Sequence, residues 1–290
     1  MSGPSKAAVR LRIDPTNPGQ FFACCGMLEM ADRLWGGALG WFDRATTFCM
    51  APVEGDSNDN AARLVGAVAE CPLNNSMTPA QRKRREELSE MRTAAREADP
   101  ESAAEKKELD ARYRESSIVL GDPFHLVLDW FLDDRAGGKA LKTWAGQQSA
   151  MDIAKGMKGQ IDPARLVSES WLFQSIRGDC LPFNFDSDLG GVGSALDVGF
   201  SFDPLKDTGL SVRTRPLLEF GAFVGLQRFR PRRIGSESEY EFSTWREPLQ
   251  PEIAATAACG AVECLRSCTF RFRLLYRTKY LKSFLPATRV

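Results

Sequence analysis

The sequence predicts an α+β protein, with mixed helices and antiparallel strands in one main body and a charged helical hairpin inserted into it. Three observations carry that expectation. Short runs such as VRLRID (Val9 to Asp14) alternate apolar and charged residues with the period of a half-buried strand. Longer apolar stretches open with a capping residue or a proline, as helices do. Residues 81–115 hold ten basic and ten acidic residues and almost no aromatics, the composition of a solvated arm. The main body is placed at 1–75 and 116–290, and the arm at 76–115.

Taken in order, VRLRID is the first strand. In NPGQFFACCGMLEMADRLW, Asn17 caps a helix, Pro18 takes its first position and Gln20 stands where a capping box places it. Phe21, Cys24, Cys25, Leu28, Ala31 and Trp35 fall on one helical stripe, so the paired cysteines read as core filling. GWFDRATTFCM reads as a second strand and SNDNAARLVGAVAE as a helix capped by Ser or Asn. Within the arm, DPES (Asp99 to Ser102) ends one helix and caps the next. The arm is either a solvated surface element or a docking arm for a neighbouring subunit. Its RKRR run (Arg82 to Arg85) is diluted as a nucleic-acid contact by the two glutamates that follow.

SIVLGDPFHLVLDWFLDD reads as strand, turn, strand, with His125 a core or edge residue. DPARLVSESWLFQ reads as a helix with Asp162 capping and Pro163 first. CLPFNFDSDLGGVGSALDVGFSFD reads as two strands joined by a flexible loop. PLLEFGAFVGLQRF and PEIAATAACGAVECL each open on a proline and read as buried helices.

Several chemistries lack their signatures. The phosphate-loop pattern, the dinucleotide fingerprint and the nucleophile elbow do not occur. None of the eight cysteines forms a Cys-x-x-Cys pair and His125 is the sole histidine, so neither a structural zinc site nor a Cys/His nucleophile is expected. Asp129, Asp133 and Asp134 leave a metal-dependent nuclease open as an alternative, because convergence of acids is not visible in a linear sequence. No cofactor or metal is expected. The absence of an apolar signal core and of any long apolar run predicts a cytoplasmic chain without a membrane partner.

Charge is what stands out. Lys and Arg together equal Asp and Glu at 38 each, yet residues 210–290 carry 14 basic against 7 acidic residues, a net of +7 balanced by the rest. Arg213 and Arg215 precede the apolar helix of PLLEFGAFVG, and Arg228, Arg230, Arg232 and Arg233 follow it. In FRFRLLYRTKYLK, strand geometry places Arg271, Arg273, Arg277 and Lys279 on one face, with same-face neighbours about 6.6 Å apart, and Lys282 follows. That pitch suits a phosphate backbone, though an exposed strand also uses cations to protect its edge. LKTWAGQQSAMDIAKGMKGQI offers Lys142, Trp144, Gln147, Gln148, Lys155 and Lys158, either as a base-stacking loop or as an amphipathic helix with Trp144 in the core. Together these residues predict a cationic track for nucleic acid.

The segments DPTNPGQFFACCGMLEMADRLW, LKTWAGQQ, FNFD with DVGFSFD, GLQRFRP, TWREPL and RLLYRTKYLKSFLPA, in that order, resemble the short large-subunit-type protein of type I-U (I-G) CRISPR systems. The resemblance covers most of the chain and assigns no role to an individual residue. It implies a non-catalytic subunit of the RNA-guided Cascade complex, near the 5′ end of the guide RNA. Such a subunit checks the motif flanking the target (PAM), helps open the duplex and steers the displaced strand. The implied partners are target DNA, CRISPR guide RNA, the other Cascade subunits and a helicase–nuclease recruited afterwards. A guide-RNA-binding backbone subunit is the nearest rival reading.

Overall fold

The computed structural model describes residues 7–43, 46–54, 60–94, 99–135, 137–146, 148–165, 171–178, 180–189, 212–235, 238–276 and 282–290. Among them the fold is α+β, with seven α-helices and antiparallel sheets. The expected strand at GWFDRATTFCM is instead a hairpin, β2 (Ala38–Asp43) and β3 (Thr47–Pro52), and β3 lies between β2 and β1 (Val9–Arg12). Helix α1 (Pro18–Trp35) follows β1. Asn17 Oδ1 accepts from the Gln20 amide, while Gln20 Oε1 accepts from the Asp14 amide, so the reciprocal cap closes three residues further back than a capping box would.

Almost the whole of α1 is buried, including Glu29, rather than one stripe of it. The reason is its neighbours. One side packs on β2 and β3, and another meets α6 (Pro216–Gly225). The two helices touch backbone to backbone. A Cβ on Gly26 would overlap the Gly221 carbonyl and stand 2.8 Å from the Gly225 nitrogen, and a Cβ on Gly225 would overlap the Phe22 carbonyl. Only hydrogen fits at these positions, which is what the glycines contribute.

A five-stranded sheet runs β12-β11-β10-β9, with β13 also on β11; the strands are β9 (Arg232–Arg233), β10 (Glu239–Thr244), β11 (Cys268–Tyr276), β12 (Lys282–Phe284) and β13 (Thr288–Arg289). Its inner face puts Phe242, Phe272 and Phe284 against Phe21 and Phe22 of α1, with Phe270 stacked on Phe242. Trp245 ties this sheet to the first one, donating from Nε1 to the Gly40 carbonyl at 2.7 Å. Helix α7 (Pro251–Ala258) stops before Cys259, shorter than its apolar run suggests, and the Glu263–Leu265 stretch is a single 3-10 turn.

Helix α2 (Ala61–Glu70) is capped by Asn60. A third sheet joins β4 (Leu73–Asn75), β5 (Ile118–Leu120) and β6 (Leu126–Leu128). Between the paired strands β4 and β5 runs the charged hairpin, α3 (Pro79–Ala94) and α4 (Pro100–Arg114), with Asp99 capping α4. Arg84–Glu105 and Arg85–Asp110 bridge its two helices. His125 is neither core nor edge: it sits at φ 48 in the turn before β6, exposed and paired with Asp122. The helix expected at DPARLVSESWLFQ is reduced, among the described residues, to 3-10 turns at Pro163–Arg165 and Trp171–Phe173. Described residues 180–189 form no strand, only bends and a turn at 187–189, and the glycine-rich loop and the second expected strand within 190–203 lie outside the described residues. Helix α5 (Ala150–Gly159) and the pair β7 (Ile176–Gly178) and β8 (Val212–Thr214) complete the body. Among the described residues no helix is long and apolar enough to cross a membrane.

Candidate nucleic-acid interface

The outer face of the five-stranded sheet carries a ladder of alternating charge. Strand register sets Arg232 and Arg271 on either side of Glu241, and Arg273 opposite Glu239. Glu241 accepts from Arg232 Nη2 at 2.8 Å through one oxygen and from Arg271 Nη2 at 2.7 Å through the other. Its burial would raise the carboxyl pKa, but the hydrogen bonds from Arg232 and Arg271 outweigh that and lower it. Glu241 is only 7% exposed, whereas Arg232, Arg271 and Arg273 are 53%, 42% and 68% exposed. The glutamates therefore sit at the base and the guanidinium groups stand outward, oriented and with donors to spare. Arg233 is exposed at the sheet edge. Arg277 and Lys279 lie outside the described residues. Lys282 leaves the ladder: its Nζ donates to the Ala140 carbonyl at 3.0 Å.

The other predicted cations do not extend this face into a track. Arg228 clamps α1, its Nε donating to Glu29 at 2.6 Å, and it also reaches Glu252. Arg230 binds Asp133. Gln227, beside them, accepts from the amides of Asp129 and Trp130 and donates back to Asp129. The GLQRFR segment is thus a latch that pins the 129–133 stretch and α1 to the end of α6. Arg215 binds Asp186 and Asp188, and Arg213 donates to Ser175. Arginines gathered around an apolar helix here neutralise buried or half-buried acids contributed by other segments, which local sequence does not display.

For the Trp144 segment the core alternative holds and the base-stacking one does not. Trp144 is 3% exposed and packs among Trp130, Phe131, Phe183 and Phe223, so no base can stack on it. Lys142 lies over its ring, with its pKa lowered by burial. Gln148 accepts from the Ala145 amide within its own turn, and Lys158 donates to the Ala69 carbonyl. Gln147 lies outside the described residues. Only Lys155, on α5, remains an exposed cation.

A buried polar cluster at the starts of α1 and α6 was not expected. Asn17 donates to Asp186 at 2.7 Å and Arg215 donates to the same carboxyl at 3.0 Å. Glu219, in the first turn of α6, accepts from the Phe185 and Asp186 amides. Burial pushes Glu219 up to about 8 and raises Asp186 as well. The cluster staples the 183–188 strap across both helix starts. FNFDSD (Phe183 to Asp188) displays the acids and Arg215–Pro216 the arginine at a helix start, but nothing local says which acid meets which arginine. Burial raises Cys24 and Cys25 far above the usual thiol range, in keeping with core filling. Among the described residues no three Asp, Glu, His or Cys side chains are grouped to hold a metal ion. Comparison with protein-family models, with curated proteins and with solved structures returns no match to this chain.

Proposed function

We propose that this chain is a non-catalytic, DNA-binding subunit of an RNA-guided CRISPR Cascade complex. The observation that carries the reading is the arginine ladder on the open sheet face, supported by the ordered set of segments that resembles the short large-subunit-type protein. Guide pairing reads sequence in such a complex, so its protein subunits need mainly sequence-blind backbone contacts and one short base-edge contact. Arg232, Arg271 and Arg273 provide the backbone contacts, held at strand spacing by Glu239 and Glu241. Guide RNA, neighbouring Cascade subunits and the later helicase–nuclease are the partners of this role, and its compartment is the cytoplasm.

With three outward arginines rather than a long track, the logarithm of affinity falls against the logarithm of salt with a slope of about 2–3. Fluorescence anisotropy with labelled duplex DNA, single-stranded DNA and RNA measures it, with and without magnesium. Arg271→Gln with Arg273→Gln lowers that slope by about 1.5 while Glu239 and Glu241 keep a donor. A slope unmoved by the substitutions, or magnesium-dependent cleavage by the chain alone, refutes the reading.

A further inference from the structure

At the foot of the hairpin, α3, α4, β4 and α5 enclose a half-open cleft of about 100 Å3. Asn74, Arg82, Arg85, Glu86, Tyr113 and Lys155 are among the side chains that line it. Three cations from two distant stretches, the RKRR run and α5, meet here across some seventy residues of sequence. We propose that this cleft binds a phosphoryl group, presented by a phosphate ester such as a nucleotide or a nucleic-acid backbone.

The arrangement differs from the neutralised pairs elsewhere on the molecule. Arg82 spends Nη1 on neutral oxygens, the Met77 carbonyl at 2.7 Å and the Asn75 carbonyl at 3.3 Å and amide oxygen at 3.4 Å. No acid cancels its charge among the described residues, and its Nε and Nη2 keep their donors. Lys155 is exposed and has no carboxylate partner among the described residues. Arg85 is fixed from two sides: its Nε donates to Asp110 at 2.7 Å, and its guanidinium lies 3.9 Å from the centre of the Tyr113 ring. That leaves both Nη groups with their donors on a side chain that lines the cleft. The Tyr113 hydroxyl donates to Asp152 at 2.6 Å, which locks the ring.

The acids nearby do not fill the cleft. Asp110 and Asp152 touch lining residues but are not part of the wall, and Glu86 is the one carboxylate that is. Three cations against one acid, with two of the cations immobilised before any ligand arrives, favour a compact anion with several acceptor oxygens. A carboxylate offers two such oxygens, and a phosphoryl group offers three or more.

The proposal stands apart from the sheet-face reading, and its test keeps them separate. The full chain is titrated by calorimetry with inorganic phosphate, adenosine monophosphate and a short single-stranded RNA, at constant ionic strength set with chloride. The expected result is saturable binding of adenosine monophosphate or the RNA, weakened tenfold or more by Lys155→Glu and unchanged by Lys83→Glu, an exposed arm cation that does not line the cleft. Because Lys155 is exposed and unpartnered, K155E melts like the parent chain. Binding by the monophosphate and the RNA assigns a phosphate ester, and binding by the RNA alone assigns a polymer backbone. Binding by inorganic phosphate alone overturns the ester assignment. If no probe saturates, or K155E binds as the parent does, the site does not exist. K155E leaves binding that is sensitive to R271Q and R273Q intact, so failure of one proposal does not imply failure of the other.

Discussion

Arg228→Ala separates a folding role from a nucleic-acid role at the position where charge density alone pointed to the latter. Glu29 is 3% exposed and takes hydrogen bonds from Arg228 Nε at 2.6 Å on one oxygen and Nη2 at 3.2 Å on the other. Arg33 donates only to the second oxygen, at 3.0–3.1 Å. Removing Arg228 leaves one oxygen of a buried carboxylate without a donor. Breaking a buried pair costs about 3–5 kcal/mol; with Arg33 still in place and Arg228 one-third exposed, about 2–3 kcal/mol is expected. For a chain of this size that is a fall in Tm of about 3–5 °C. The assay is thermal or urea unfolding followed by circular dichroism, alongside DNA anisotropy at a temperature where both proteins are folded. Glu29→Gln in the R228A background removes the stranded charge and recovers part of the loss. An unchanged Tm with reduced DNA affinity refutes the clamp and restores Arg228 to the interface.

Gly26→Ala, which puts a methyl group into the Gly221 carbonyl, destabilises by about 2–3 kcal/mol net of the helix-propensity gain, whereas Gly66→Ala, with open space around it in α2, stabilises by up to about 1 kcal/mol; urea midpoints of the two variants decide it. Glu219, at about 8 in the fold against its usual 4.5, binds a proton that the unfolded chain has lost between those values, so stability declines as pH rises through that window. The decline is on the order of 4–5 kcal/mol, Asp186 acts in the same direction, and Glu219→Gln flattens the curve of unfolding free energy against pH. Cys24 and Cys25 resist iodoacetamide in the folded chain and react on unfolding, which mass spectrometry of the alkylated peptides reads directly.

The elements that sequence reveals are those whose signal is local. Asn17 and Pro18, Asp99 and Pro100, and Pro216 and Pro251 each mark a helix start, because capping and proline geometry act within one turn. The alternation of β11 is legible up to Leu274, and Tyr276 then breaks it by standing exposed at the strand's end. What is not legible is pairing across the chain. Asp133 lies 97 residues from Arg230 and Glu29 lies 199 from Arg228, so the sequence displays the arginines and hides the acids that neutralise them. Trp144 shows the same limit: a lysine and two glutamines nearby suggest a wet loop, while its actual neighbours come from the 130–131, 183 and 223 positions. The cleft at Lys155 was equally hidden, since its cations belong to segments that read separately as a solvated arm and an amphipathic helix.

The hairpin departs from β4 and returns at β5, two strands already held side by side by the pairing of Leu73 with Leu120 and Asn75 with Ile118. Chain length beyond that doorway is therefore decoupled from the body. Past Leu88 and before Leu109, no side chain among those described is buried. Turns could be added to or trimmed from the outer part of the arm without re-registering a single strand, so its reach is a dimension that can vary while everything beneath it stays the same.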